Sequence, residues 1–221
     1  MKEFHHIIQK SPLFHGFTGE ELGNILGCLS ANVKEYGKNQ TILHSGDSTN
    51  SVGMMLTGSA NIVREDFWGN SNIIANLLPG NIFAESYACT GSGMQVSVEA
   101  KEKCRILFLN VRCIAFPCSS ACDFHSRLIR NLLSVLARKN LQMNEKLSHM
   151  AQRSTREKLL SYLSAESIKQ NDRAFDIPFN RQQLADYLAV DRSAMCTEMG
   201  KMRDEGIISF EKNHFILHDE I

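Results

Sequence analysis

Residues 181–202 read RQQLADYLAVDRSAMCTEMGKM, and their spacing predicts two short helices joined by a tight turn. Asn180 precedes the first helix and Gln183 follows three residues later, a capping-box arrangement. Leu184, Ala185 and Leu188 make one apolar face, and Ala189-Val190 supplies a compact turn. Asp191 is a good N-cap for a second helix beginning at Arg192. Met195, Met199 and Met202 then recur at helical spacing, which leaves Arg192, Ser193, Cys196 and Thr197 on another face. That is the layout of a helix-turn-helix, whose second helix sets its N-terminal residues in the major groove. An ordinary helical hairpin fits the same stretch, so its neighbours must decide.

They favour the first reading. Gly206 to Phe210 and Phe215 to Leu217, joined through Lys212-Asn213, predict a hairpin directly after the pair, which makes a winged helix. Upstream, Ala174 to Phe179 is a short extended piece. Ser154 and Glu157 form another capping box, opening a helix that carries Leu159, Leu160 and Leu163. The segment from His149 to Ser154 reads as a hinge.

Before the hinge, Ala121 to Met150 holds neither Pro nor Gly. Ile129, Leu133, Leu136, Asn140, Met143, Leu147 and Met150 alternate four and three apart, a heptad seam with one polar residue. A long helix pairing with its twin is expected, Asn140 fixing the register. Leu128, Leu132 and Val135 form a second apolar stripe suited to facing the preceding domain. That domain has a different texture. From Val33 to Asn110, short apolar runs such as Thr41–Leu43, Val52–Leu56, Ala60–Val63 and Ile73–Leu77 are punctuated by Gly-containing turns. Such spacing predicts a small antiparallel barrel or sandwich. A capping box at Thr18-Gly-Glu-Glu21 opens a short helix before it.

Composition bounds the function. The chain has 221 residues, 43% apolar, with a formal net charge of +0. The region 151–221 carries ten Lys/Arg against twelve Asp/Glu. Any contact with nucleic acid therefore rests on locally placed cations, not on a global basic field. The N-terminal MKEFHHIIQK has no long apolar run of the kind a secretion leader needs, and no stretch is long enough to span a bilayer. Seven cysteines, an odd number in a chain of this size, fit reduced thiols in a cytoplasm. No nucleophile motif, P-loop, dinucleotide fingerprint or HExxH sequence is present, which argues against an enzyme.

The order of these parts resembles the cyclic-AMP receptor protein/FNR family of bacterial transcription regulators across nearly the whole chain. Two passages carry the resemblance. One is Gly46-Asp47, then Met54 to Gly58, then Leu78 to Phe83; the other is Gln183 to Ser193 running on to Lys201 through Ile208. The resemblance implies an α+β chain with an N-terminal cyclic-nucleotide-binding-like β-roll (a jelly roll) at 1–120, a dimerisation helix at 121–150 and a winged helix-turn-helix at 151–221. It also implies a homodimer that binds double-stranded DNA at a pseudo-palindromic operator, and contact with RNA polymerase as an activator. The family's DNA-reading arginine falls on Arg192, with Ser193 and Thr197 beside it. Thr197 stands where an arginine is common, which puts a standard family operator in doubt. Arg181 and Lys201 are candidate phosphate contacts.

For the effector, the family's nucleotide cassette keeps its glutamate as Glu85. Ala84 replaces the glycine before it, and Gln95-Val96 replaces the Arg-Ser/Thr pair that grips a cyclic phosphate. Neutral Gln cannot supply that fork of donors and charge. The expected effector is therefore not cyclic AMP, and Glu85, Gln95 and Ser97 are candidate contacts to another small molecule. A cysteine-based alternative uses Cys118, Cys122 and His125, with Cys113 and Cys104 nearby in sequence, to hold zinc or an iron–sulfur centre or to sense redox state. Cys28, Cys89 and Cys196 read as packing residues. A ligand-binding regulatory subunit that does not touch DNA is a further alternative, which the winged helix argues against.

Overall fold

A computed structural model describes residues 2–115 and 123–218. The chain divides into two compact units, 1–137 and 138–221.

The first unit opens with a 3-10 turn, Lys2–Phe4, α1 (His5–Lys10), a second 3-10 turn, Pro12–Phe14, and α2 (Gly19–Cys28). Thr18 and Glu21 close the expected capping box at the start of α2. Eight strands follow: β1 (Asn32–Tyr36), β2 (Thr41–Leu43), β3 (Ser51–Thr57), β4 (Ala60–Glu65), β5 (Ser71–Leu77), β6 (Ile82–Phe83), β7 (Ser97–Ala100) and β8 (Cys104–Asn110). The helix α3 (Glu85–Thr90) sits between β6 and β7, and α4 (Val111–Ala115) follows β8. The strands form two four-stranded antiparallel sheets, ordered β1-β8-β3-β6 and β2-β7-β4-β5.

Strand periodicity explains why the first sheet is buried on both faces. Val52, Met54 and Leu56 of β3, with Leu107 and Leu109 of β8, join α2 residues Leu22, Ile25 and Leu26 in one core. Their alternates Met55, Cys104 and Ile106 join Ile42, Phe83, Val96 and Val98 in a second core. Gly53 also belongs to that second face. It pairs with Phe83, and a Cβ there would lie 2.2 Å from the Phe83 ring. The glycine is thus the space the ring occupies.

Helix α5 (Asp123–Met150) begins in this unit. Leu128, Leu132 and Val135 are buried in the first core, as the second stripe required. Two polar anchors that periodicity does not reveal fix it to the N-terminal segment. Arg127 Nη1 donates to the Gly16 carbonyl at 2.7 Å and to Glu21 Oε2 at 2.9 Å. Asn131 Nδ2 donates to the carbonyls of Leu13 and His15 at 3.0 and 2.9 Å. The seam side faces solvent: Leu133, Met143 and Leu147 are each more than half exposed.

The second unit holds the rest of α5, then α6 (Thr155–Gln170), β9 (Ala174–Asp176), α7 (Arg181–Leu188), α8 (Arg192–Asp204), β10 (Ile208–Glu211) and β11 (His214–Leu217). Ser154 and Glu157 cap α6 as expected. The extended piece 174–176 becomes a third strand of the wing, whose order is β10-β11-β9. Phe215 on the central strand pairs with Phe210 on one side and Phe175 on the other.

The packing role expected of three cysteines does not hold: Cys28, Cys89 and Cys196 are all exposed. In α8 the reason is plain, because the inward positions on either side of Cys196 belong to Met195 and Met199. No helix among the described residues is long and apolar enough to cross a membrane.

Two measurements probe these cores. Gly53→Ala drives a methyl into the Phe83 ring and is expected to destabilise the first unit by about 1–3 kcal/mol in chemical denaturation. His149 is buried at 3% exposure, its Nδ1 2.8 Å from Ser161 Oγ. Burial holds its imidazole below the ordinary value, partly opposed by Glu145 and Glu166. The unfolded chain takes up this proton near pH ~6.5 while the folded chain does not. Its contribution is therefore largest above that pH and declines as pH falls towards the lowered folded value. Calorimetry from about pH 7 down to about pH 5 should show a steeper loss of stability in the wild type than in His149→Gln.

Candidate nucleic-acid interface

Side-chain caps set both helices of the pair. Asn180 Oδ1 accepts from Gln183 N at 2.9 Å, and Gln183 Oε1 accepts from Asn180 N at 2.9 Å. Helix α7 ends at Ala189, whose φ of 51° is the left-handed conformation that closes a helix. Lys158 Nζ donates to the carbonyls of Leu188 and Ala189 at 3.4 and 3.5 Å, so a cation sits at the negative end of α7. Asp191 Oδ1 then accepts from Ala194 N at 2.8 Å, starting α8 where the sequence placed it.

Met195, Met199 and Met202 are buried against Leu184, Leu188, Leu159 and Phe215. Arg192, Ser193, Cys196, Thr197 and Lys201 are all exposed. The outward row therefore starts with an arginine that has no ion-pair partner among the described residues. Both acids on this helix are already engaged: Glu198 lies 3.5 Å from Lys201 Nζ and 3.4 Å from Arg156 Nη1, and Asp204 lies 2.8 Å from Arg203 Nη2. Arg156 also pairs with both carboxylate oxygens of Glu205, which holds that carboxyl below its usual range. Arg156 was not singled out from the sequence. Only its distance in the chain from Glu198 and Glu205 hides it, since no local pattern links them.

Arg181 differs from the other candidates. Its guanidinium lies 4.9 Å from the Phe210 ring centre and 5.0 Å from that of Phe215. Burial pushes its pKa down, with Cys196 opposing. Its planar cation braces the first helix of the pair against the wing. Beside it, Phe179, Asn180, Gln183 and the wing-turn residues Lys212 and Asn213 line a groove of about 390 Å³. Lys212 sits at φ 52°, which presents it at the tip of the hairpin. The turn was legible in the sequence, but nothing there marked this lysine as a contact.

In the first unit, Glu85 is buried at 4% exposure in the first turn of α3. The residue before it, Ala84, is held at φ 62°, a conformation that suits the glycine it replaces. Gln95 is exposed, and Ser97 Oγ accepts from the backbone of Ser45 at 3.0 Å. Of the thiol candidates, Cys118 and Cys122 lie outside the described residues. Cys104 is sealed in the inter-sheet core, where burial raises its pKa and makes it a poor sensor. Cys113 packs at the edge of the other core, and His125 is buried near the start of α5. The described residues contain no group of three His, Cys, Asp or Glu that could hold a metal.

Comparison with known proteins agrees with both halves. Residues 33–115 match the cyclic nucleotide-binding domain, and residues 157–220 match the Crp-like helix-turn-helix domain. The transcriptional activator protein FnrL of Cereibacter sphaeroides is 23% identical over 198 residues, covering 84% of this chain and 76% of that protein. The catabolite activator protein of Thermus thermophilus shares the fold, with a TM-score of 0.55 at 21% identity over 94% of each chain. The Xanthomonas campestris regulator CLP does so with a TM-score of 0.56 at 15% identity, over 90% of this chain and all of that one. With the β-roll, the winged helix-turn-helix and the long helix in one order, the chain belongs to the CRP/FNR family of transcription regulators.

Proposed function

We propose that this regulator is a homodimeric, cytoplasmic activator that reads a pseudo-palindromic operator through the outward face of α8. The carrying observation is the buried methionine row, which turns Ser193 and Thr197 towards solvent, with Arg192 exposed beside them at the first position of the helix. Arg192 is the base reader, since a guanidinium can donate two hydrogen bonds to guanine O6 and N7. Ser193 and Thr197 reach base edges or phosphate. Lys201 contacts phosphate, and Arg181 contributes by holding α7 on the wing as well as by its charge. Activation is supported by the likeness to FnrL, which is named as a transcriptional activator; RNA polymerase is the partner we propose for it.

Dimerisation uses the seam of α5. Leu133, Met143 and Leu147 leave a row of apolar surface that a second copy would cover. Two recognition helices would then meet half-sites about one helical turn apart, ~34 Å. The effector is a small molecule in the β-roll other than cyclic AMP. Neutral, exposed Gln95 stands where a phosphate-gripping arginine is needed, and Glu85, Gln95 and Ser97 are the polar groups available. Of the thiols considered for a metal or redox switch, Cys104 is buried between the sheets, where burial raises its pKa and disfavours the thiolate.

Three outcomes follow. Arg192→Ala should lose sequence preference in selection from random DNA while its dimer and folding are unchanged; selection of the same sites would overturn the assignment. Specific binding in gel shifts should fall steeply with salt, as phosphate contacts require. Leu133→Lys with Leu147→Lys should convert the sedimenting species from dimer to monomer and weaken operator binding; a variant that remains dimeric would remove the seam.

A further inference from the structure

We propose that the DNA-binding unit carries a small-molecule site of its own, built for an aromatic carboxylate, between the end of α5, α6 and α7. The cavity there has a volume of about 410 Å³, within the range of ordinary ligand pockets. Three rings form its apolar walls. The centres of Phe179 and Tyr187 lie 4.9 Å apart, those of Tyr162 and Tyr187 5.4 Å, and those of Tyr162 and Phe179 6.0 Å. Their planes are mutually tilted, which leaves faces and edges turned inward for a planar guest.

The polar groups select an anion. Lys139, Lys146 and Lys169 line the cavity, against Glu145 and Glu166. Glu166 is engaged by Lys169 at 3.1 Å and Gln170 at 3.3 Å. The Lys146 ammonium rests over the Tyr187 ring at 5.2 Å, beside the space a guest would fill. A cationic guest would meet these lysines, whereas a carboxylate is drawn to them.

Tyr162 supplies the specific donor. The residue is 3% exposed, and its hydroxyl has no hydrogen-bond partner among the described residues. Buried polar groups left this way call for an explanation. Burial and the neighbouring carboxylates Glu166 and Glu145 push its pKa up, so the phenol stays protonated and can only gain an acceptor. A carboxylate oxygen is that acceptor, with the attached ring lying against Phe179 and Tyr187.

The site is independent of the operator reading and of the β-roll effector, so either can fail without the other. The test is calorimetric titration of the full chain with benzoate, and with benzyl alcohol as its uncharged analogue. Benzoate should bind saturably and benzyl alcohol should bind at least about tenfold more weakly. Tyr162→Phe keeps the ring and should weaken benzoate by about tenfold or more without lowering the melting temperature. Lys146→Met should weaken it as well, and Gln95→Ala, in the β-roll, should not. No saturable binding overturns the proposal. So does equal affinity in Tyr162→Phe, the result expected if an ordered water satisfies the hydroxyl, or loss of binding in Gln95→Ala.

Discussion

The DNA-facing surface depends on the burial of three methionines. Met195, Met199 and Met202 have 0%, 1% and 0% of their surface exposed, packed on Leu184, Leu188, Leu159 and Phe215. Each buried side chain of this size contributes roughly 1.5–3 kcal/mol. The Asp191 cap is worth roughly 1 kcal/mol. Packing therefore fixes the rotation of α8 about its axis, and the cap fixes only where the helix starts. Because a helix turns about 100° per residue, pinning positions 195, 199 and 202 inward sends 193 and 197 outward and 196 to the flank, while Arg192 is exposed because it opens the helix ahead of the packed turns. Methionine is a flexible filler, so the same row tolerates small adjustments without losing its direction.

Helix α5 shows the same logic with two stripes instead of one. Leu128, Leu132 and Val135 are used within the first unit, with Arg127 and Asn131 locking the helix to backbone carbonyls of the N-terminal segment. The seam stripe starts on the same core, through partly buried Ile129 and Leu136, and leaves it at Leu133, Met143 and Leu147. A single helix surface can hold both functions only because the two stripes are offset by one residue along the heptad.

The elements were legible where one local force decides them. Capping boxes at Thr18, Ser154 and Asn180 appear as read, because each needs only residues three apart. Period-two burial in β3 and β8 was visible as apolar runs, though which of the two cores each residue enters depends on sheet pairing. What escaped has long sequence separation. Arg156 finds Glu205 across 49 positions, and Arg181 finds Phe210 and Phe215 on the wing. The exposure of Cys196 was implicit in the methionine spacing, yet the general tendency of cysteine to be buried pointed the other way. In this helix position overrides residue type.

Charge then determines how a protein with no net charge can approach a polyanion. The C-terminal region has more acids than bases, so its mean field repels phosphate weakly. The acids near α8 are handled locally. Glu198 and Glu205 are paired with Arg156 and Lys201, and Asp191 is turned onto the Ala194 amide. These pairs are partly exposed, and their worth to stability is small. Their effect is on the pattern of charge: they cancel negative potential beside the helix and leave the Arg192 guanidinium as uncompensated positive charge at its N-terminal end. The wing tip adds Lys212, and the N-terminal end of α8 adds the positive pole of its own dipole. Counterion release by a few such contacts supplies affinity without a basic domain, so discrimination between sites rests more heavily on the base-edge contacts of a short row of side chains.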